Sequence, residues 1–268
     1  LYQSKEVQDI RYLTPVLSFL SYSEIVEYLP KIVSLQEHLI KDAISRISRS
    51  QYMSTVEFML ELNFLVAPSD SRESVNNAIK GIKVCFEEKS VFSQDIIART
   101  LTMITECLET SNQNLRPLHR KVKRGILAPN EPPTLSMRTF IQAILMYPKL
   151  RSFIINLLKR ILKTGKITDN KYTWLWNGFV KCCQKLKSHP ECYELILSLD
   201  SAYFFKIMDE LKSMRVGLIR YIEDPNHFYV KNSLTGDKLN YLLECQRNLN
   251  NARSEEHTSE LQSRQYLV

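Results

Sequence analysis

Residues 150–162 read LRSFIINLLKRIL, and this segment carries the clearest structural signal in the chain. Its apolar residues recur every three or four positions, as they do on one face of an α-helix; they are Leu150, Phe153, Ile154, Leu157, Leu158, Ile161 and Leu162. Pro148 suits the first turn of such a helix, and Gly165 stands where a C-terminal cap belongs. The segment therefore predicts an amphipathic helix with one buried face.

The same helical spacing extends outward in both directions from this segment, and no alternating strand pattern persists. Ser93 is a predicted N-cap, and Ser54 with Glu57 has the spacing of a capping box. Breaks are predicted at Pro30, 68–70, 188–190 and 224–225. We expect a core that includes Ile141, Ile144, Phe153, Leu157, Ile161 and Phe179. About a dozen short helices are thus predicted, as an all-α, irregular α-solenoid of HEAT-like antiparallel helix pairs.

Residues 111–133 depart from this order, since they contain four prolines and no apolar periodicity. We interpret them as a long loop inserted in a helical domain that covers residues 1–252. The loop holds a basic run formed by Arg116, Arg120, Lys121, Lys123 and Arg124. This run is open to three interpretations, namely a nuclear localisation signal, a nucleic-acid contact or a solvated loop.

Residues 253–268 are predicted to lie outside any functional unit. Their first part, RSEEHTSELQS, resembles the in-frame translation of a sequencing adapter, so we interpret the segment as an artefact tail. Without it, 34 basic and 26 acidic residues remain, and the formal charge rises from +7 to +8. The chain also begins at Leu1 rather than methionine, so we expect a fragment of a longer protein.

Motifs that carry catalysis or bind cofactors are missing from the sequence. The six glycines are isolated, which argues against a phosphate-binding loop, because such loops need clustered glycines. The nearest metal candidate is the set Cys182, Cys183, His189 and Cys192, but adjacent helical cysteines point about 100° apart and converge poorly on one ion. We therefore predict a protein that is not an enzyme and has no metal or cofactor.

Several segments together resemble the symplekin C-terminal domain family. They are Met137 to Gln142, Met146 to Leu150 with Phe153, and Trp176 to Gln184, with weaker likeness at Asp9 to Leu13, Ser23 to Ile25, Ile44 to Ile47 and Val84 to Glu88. The resemblance spans roughly residues 9–222 and is strongest over residues 135–184. Thr168 to Thr173 departs from the family pattern, because it lacks the proline expected ahead of the tryptophan.

The resemblance implies a nuclear scaffold of pre-mRNA 3′-end cleavage and polyadenylation. Its implied partners are the endonuclease subunit of the cleavage and polyadenylation specificity factor and that subunit's inactive paralogue. The cleavage chemistry would then belong to the partner. The alternative function is direct RNA binding by a basic helical array. Basic residues near a helix C-terminus, such as Lys159 and Lys163, do not by themselves require RNA, because the helix dipole favours cations there.

Candidate partner-binding residues lie in the segment with the strongest resemblance. Trp174 and Trp176 flank Leu175 and cannot both face one core, so we expect Trp176 inside and Trp174 either half-covered or exposed as a partner anchor. Arginine, tyrosine and tryptophan dominate interface hot spots. The predicted docking residues are Arg138, Tyr147, Trp174 and Lys181.

Overall fold

The computed structural model describes residues 9–109 and 131–248. Every regular element within these two ranges is a helix, which confirms the all-α prediction. The loop predicted over residues 111–133 lies almost wholly outside the described residues, as do its basic run from Arg116 to Arg124 and the 253–268 tail. These three interpretations stay predictions.

The described elements are α-helices, and short 3₁₀ helices stand between some of those in the second half of the chain. The α-helices before the gap are α1 Tyr22–Ser34, α2 Glu37–Ile47, α3 Thr55–Phe64, α4 Arg72–Glu87 and α5 Gln94–Glu109. Those after it are α6 Ser136–Met146, α7 Arg151–Lys163, α8 Thr173–Lys185, α9 Pro190–Leu197, α10 Ser201–Glu210, α11 Arg215–Glu223, α12 Phe228–Ser233 and α13 at 236–248. A longer 3₁₀ helix, Ile10–Phe19, precedes α1. None of the described helices has the length and apolar character that a membrane span requires.

The chain divides into two compact units, Leu1–Cys182 and Cys183–Val268. In the first unit α1 and α2 pack on α4, α3 packs on α4 and α5, and α5 packs on α7, while α6 contacts α4 and α5. In the second unit α9 contacts α10 and α11, and α11 contacts α12. The HEAT-like pairing of helices and the single domain over residues 1–252 remain predictions.

Local capping follows the sequence closely. Ser54 and Glu57 form the predicted capping box, since the Glu57 N–H donates to Ser54 Oγ at 3.2 Å and the Ser54 N–H donates to Glu57 Oε2 at 2.8 Å. Ser93 Oγ accepts from the Ile96 N–H at 3.4 Å. Gly165 ends α7 with a φ of 73°, a backbone conformation that favours glycine.

Two sequence expectations are wrong. Pro30 does not break the chain but lies within α1, although it cannot donate the usual intrahelical hydrogen bond. The helix continues because Leu29, Ile32 and Val33 bury its inner face. In the expected core, Ile144, Leu157, Ile161 and Phe179 are buried, but Ile141 and Phe153 are only half-buried. These two side chains lie at the edges of their helices' buried faces.

Glu61 is a buried carboxyl on α3, and it is 6% exposed. The Tyr22 hydroxyl of α1 donates a hydrogen bond to its Oε1. Burial raises the pKa of Glu61 above its ordinary value of 4.5, and it also raises the pKa of Tyr22, which the neighbouring Glu61 charge raises further. The contact joins α1 to α3. It also keeps the Glu61 carboxylate away from water, which opposes folding when the group is ionised.

Lys238 is a buried amine in the second unit, and it is 6% exposed. Its Nζ donates to the carbonyl of Leu197 at 3.0 Å and to that of Leu199. These carbonyls lie at the C-terminal end of α9, where a cation offsets the helix dipole. Burial lowers the pKa of Lys238. The amine therefore links α13 to the end of α9.

Candidate functional site

The start of α6, which carries Arg138, is fixed by a buried polar contact with α3. Asn63 is fully buried, and its side-chain amide donates to the Met59 carbonyl at 2.8 Å. Its Oδ1 accepts from the Thr139 hydroxyl at 2.7 Å, and its backbone carbonyl accepts from the Leu135 N–H at 3.2 Å. Because every one of these groups is shielded from water, the register between the two helices is well specified.

α8 approaches α6 so closely that only glycine fits at the crossing. A Cβ atom built on Gly178 would lie 2.2 Å from Cβ of Met137, far inside van der Waals contact. Trp174 and Lys181 stand four residues before and three residues after Gly178, so the helical period places them on the same side of α8. Arg138 follows Met137 in sequence and is exposed. We call the surface formed by Arg138, Trp174 and Lys181 the α6–α8 face.

Trp174 differs from the other two side chains of this face, because its polar atom is shielded from solvent and has no hydrogen-bond partner among the described residues. Its ring meets Tyr172 edge to face, with the two ring centroids 5.3 Å apart, and the side chain is half-buried. Its indole N–H is shielded from solvent, yet no acceptor lies within hydrogen-bond distance in the part of the chain that the structure describes. Trp176, by contrast, is 4% exposed and packs in the core, as expected. Buried polar groups are normally paired, so this N–H is an exception that needs an explanation.

Tyr147, the fourth predicted docking residue, lies apart from the α6–α8 face at the C-terminal end of α6. Its hydroxyl donates to the Phe92 carbonyl at 2.7 Å, and its ring stands 6.1 Å from that of Phe86. Burial raises its pKa. Ten residues of helix separate Tyr147 from Met137, or about 15 Å at 1.5 Å per residue. Trp174 and Lys181 thus flank the crossing on α8 and Arg138 lies beside it on α6, whereas the contacts of Tyr147 are internal.

The match to a family model settles what kind of chain this is. The model, described as symplekin tight junction protein C terminal, matches residues 9–211. The chain belongs to the symplekin C-terminal family. No solved structure matches the chain. The symplekin family supplies scaffolds of mRNA 3′-end processing and is not known as a family of enzymes.

The symplekin match covers α6, α7 and α8, which together contain an unusual distribution of charge. Residues 131–190 hold eleven lysines and arginines against two acidic residues, a net charge of +9. Residues 9–109 hold ten basic and fourteen acidic residues, a net charge of −4. The total charge of +7 conceals this difference. Counting the charges of successive segments of the sequence would have revealed this difference in net charge.

Most cysteine thiols of this symplekin-family chain are buried and therefore shielded from solvent and reagents. Cys85, Cys182, Cys183 and Cys192 are buried, and burial raises the pKa of the Cys107 thiol to about 12. A thiol needs a lowered pKa to act as a nucleophile. Within residues 9–109 and 131–248, no group of three or more His, Cys, Asp or Glu side chains could hold a metal ion.

Sequence reasoning missed two contributors to the α6–α8 face, Gly178 and Asn63. An isolated glycine within a helical segment gives no local sign of the helix that crosses it. Asn63 stands in the apolar segment 58–64 and is paired with a residue 76 positions away. Both roles depend on contacts distant in sequence, which periodicity does not detect.

Proposed function

We propose that this chain is a non-catalytic scaffold module of the pre-mRNA 3′-end cleavage and polyadenylation machinery. It docks the endonuclease subunit of the cleavage and polyadenylation specificity factor together with that subunit's inactive paralogue. The α6–α8 face carries part of this docking surface. The observation that carries the proposal is the Trp174 indole N–H, which is shielded and unpaired among the described residues. A partner that supplies an acceptor would remove the cost of leaving it unpaired.

The composition of the surface around Trp174 supports docking of a protein. Arg138 and Lys181 add two exposed cations to an aromatic side chain, and the outer side of α6 also exposes Leu145, at 47%, and Met146, at 36%. Arginine, aromatic residues and methionine are enriched in protein interfaces. The mixture of apolar area with positive charge suits a partner segment that combines apolar and acidic side chains.

Co-purification with the co-expressed endonuclease pair tests this proposal. Arg138→Ala and Trp174→Ala should each weaken capture by about 1–2 kcal/mol or more, as hot-spot truncations do. Trp174→Phe keeps an aromatic ring but removes the N–H, so it should also weaken capture while it preserves the thermal midpoint. The matched control is Tyr147→Phe, which removes only the internal hydrogen bond to Phe92 and should leave capture unchanged. If Arg138→Ala and Trp174→Phe fold normally and retain the pair at wild-type strength, the docking surface lies elsewhere.

We also propose that the protein works in the nucleus, where mRNA 3′ ends are processed. The support is the role of the family, together with the basic run from Arg116 to Arg124 as a candidate localisation signal. A fluorescent fusion of the chain should accumulate in nuclei, and replacement of the five basic residues by glutamine should reduce that accumulation. Because the family description also names tight junctions, a fusion found only at cell borders would contradict the proposal.

A further inference from the structure

The 3₁₀ helix that precedes α1 carries an apolar patch on its solvent side. Tyr12 and Phe19 are 71% and 77% exposed, Val16 is 42% exposed, and Pro15 is exposed as well. The inner side of the same helix is buried, and its buried residues are Ile10, Thr14 and Leu17. Single exposed apolar residues need no explanation, but a contiguous group of them indicates an interaction site. We call the side chains of Tyr12, Pro15, Val16 and Phe19 the N-terminal patch.

The elements around the N-terminal patch are nearly neutral. The 3₁₀ helix packs on α2 and also contacts α1, and over residues 9–47 four basic residues stand against five acidic ones, a net charge of −1. Several of these charges are paired within the unit. Arg11 Nε donates to Asp9 Oδ2 at 2.6 Å, and Arg46 Nε lies 3.1 Å from Asp42 Oδ1 on α2. The patch is therefore apolar area in surroundings that have no strong field of either sign.

The near neutrality of these elements discriminates between classes of partner. Nucleic-acid backbones are bound by an excess of lysine and arginine, and helices that bind anionic membranes carry such residues on their polar face. Residues 9–47 have no such excess. A strongly acidic or basic protein would also find no complementary charge around the patch. The surface that fits best is another apolar protein surface with little net charge around it.

The N-terminal patch has the same order of side chains in both directions along the helix. An aromatic residue stands at each end, and the midpoint falls between Pro15 and Val16. When a second copy of the helix lies antiparallel across the first, Tyr12 of each copy meets Phe19 of the other. The two aromatic contacts then lie about 14 Å apart, at roughly 2.0 Å per residue of 3₁₀ helix. A two-fold dimer requires a self-complementary surface of this kind, and aromatic pairs add to the gain from burial.

From this arrangement we infer that two copies of the chain associate through their N-terminal patches, with the two-fold axis beside Pro15 and Val16. The exposed area sets the strength of the association. Tyr12 and Phe19 together offer roughly 300 Å² per copy, whereas each partner of a stable complex buries about 800 Å². The dimer is therefore weak and forms reversibly with rising concentration. The inference is independent of the docking proposed above, because it uses none of the residues of the α6–α8 face.

Sedimentation equilibrium of the full 268-residue chain tests this inference. The weight-average mass should rise from 31.4 kDa toward twice that value as the concentration increases from roughly 5 to 500 μM, since a weak dimer forms by mass action. Tyr12→Ser with Phe19→Ser should weaken the association about ten-fold or more, as the loss of aromatic anchors does. The matched control is Phe228→Ser with Tyr229→Ser, which removes two aromatic side chains of similar exposure from the second unit and should leave the association unchanged. Equal thermal midpoints show that both double variants fold.

Two single variants test the two-fold axis itself. Val16→Asp and Val16→Arg each bring like charges together across the axis, so each variant alone should be monomeric. An equimolar mixture of the two pairs opposite charges and should restore the association. A wild-type chain that stays at 31.4 kDa over the whole concentration range would overturn the inference and leave the patch to a different protein. Equal loss of association in the Phe228 and Tyr229 control would show non-specific apolar adhesion and overturn it too, as would a mixture of the Val16 variants that stays monomeric.

Discussion

Residues 9–109 and most of residues 131–190 belong to the first compact unit, which ends at Cys182, yet the two regions differ in the sign of their net charge. In the first region fourteen acidic side chains stand against ten basic ones, and several of them form ion pairs; Lys41, for example, lies 3.1 Å from Glu87 and 3.6 Å from Glu37. In the second region two acidic residues face eleven basic ones. Such an excess of positive charge does not stabilise the folded state, because like charges repel each other. The difference favours the second region as the place of the proposed docking surface, while its own stability comes from apolar packing.

The largest effect should come from the packing of the second region. Leu157 is 2% exposed on the inner face of α7, so Leu157→Ala should reduce the free energy of unfolding by roughly 2–5 kcal/mol. The neighbouring Asn156→Ala, on the exposed face, should stay within about 0.5 kcal/mol. Denaturant unfolding of both variants measures the difference. Similar values for the two would mean that the buried and exposed faces of α7 are wrongly assigned.

The second effect concerns the close crossing of α6 and α8. Gly178→Ala forces a Cβ against Met137 and should cost about 1–3 kcal/mol, as overpacking does. Gly236→Ala is the matched control, because no atom lies within 4 Å of the added Cβ. It should be neutral or slightly stabilising, since alanine is the better helix former. A thermal midpoint for Gly178→Ala equal to that of wild type would show that the helices do not meet there.

These two predictions also mark how much of the fold could be derived from the sequence. The buried face of α7, its glycine cap at Gly165 and the capping box of α3 follow from local spacing, and the structure contains all three. The glycine crossing and the buried carboxyl of Glu61 do not follow from spacing, because Glu61 has the residue type of a surface position. Pro30 is a helix breaker by residue type, but burial of one face keeps α1 intact around it. Tyr147 is predicted as a docking residue from its residue type, and spacing gives no sign of its contacts with Phe86 and Phe92.

A third prediction uses the pH dependence of Glu61 in the first region. Because burial raises its pKa in the folded state, the ionised carboxyl opposes folding, and stability falls as the pH rises from 4.5 through the raised pKa. Glu61→Gln keeps an acceptor for the Tyr22 hydroxyl without a charge. It should therefore be more stable than wild type at pH 7, by about 1 kcal/mol or less. The two proteins should converge below pH 4.5, and a gap that widens at low pH would contradict the assignment.

The smallest effect separates the two kinds of basic side chain on α7. Arg160→Met removes the ion pair with Glu109 and should cost about 0.2–1 kcal/mol, the usual range for exposed pairs. Lys163→Met removes an exposed charge and should leave the free energy of unfolding nearly unchanged, as substitutions at exposed positions usually do. The loss at Arg160 should shrink in about 1 M salt. An equal loss at Lys163 would show that this lysine takes part in holding the fold.

The buried amine of Lys238 provides a built-in reporter of motion in the second unit. An amine-reactive reagent should modify exposed lysines such as Lys212 at once, whereas Lys238 must first leave the carbonyls of Leu197 and Leu199. Its labelling rate would then be set by the fraction of molecules in which α13 has moved away from α9. Mass spectrometry of timed labelling at this one residue would thus give the opening free energy of the second unit, without any substitution.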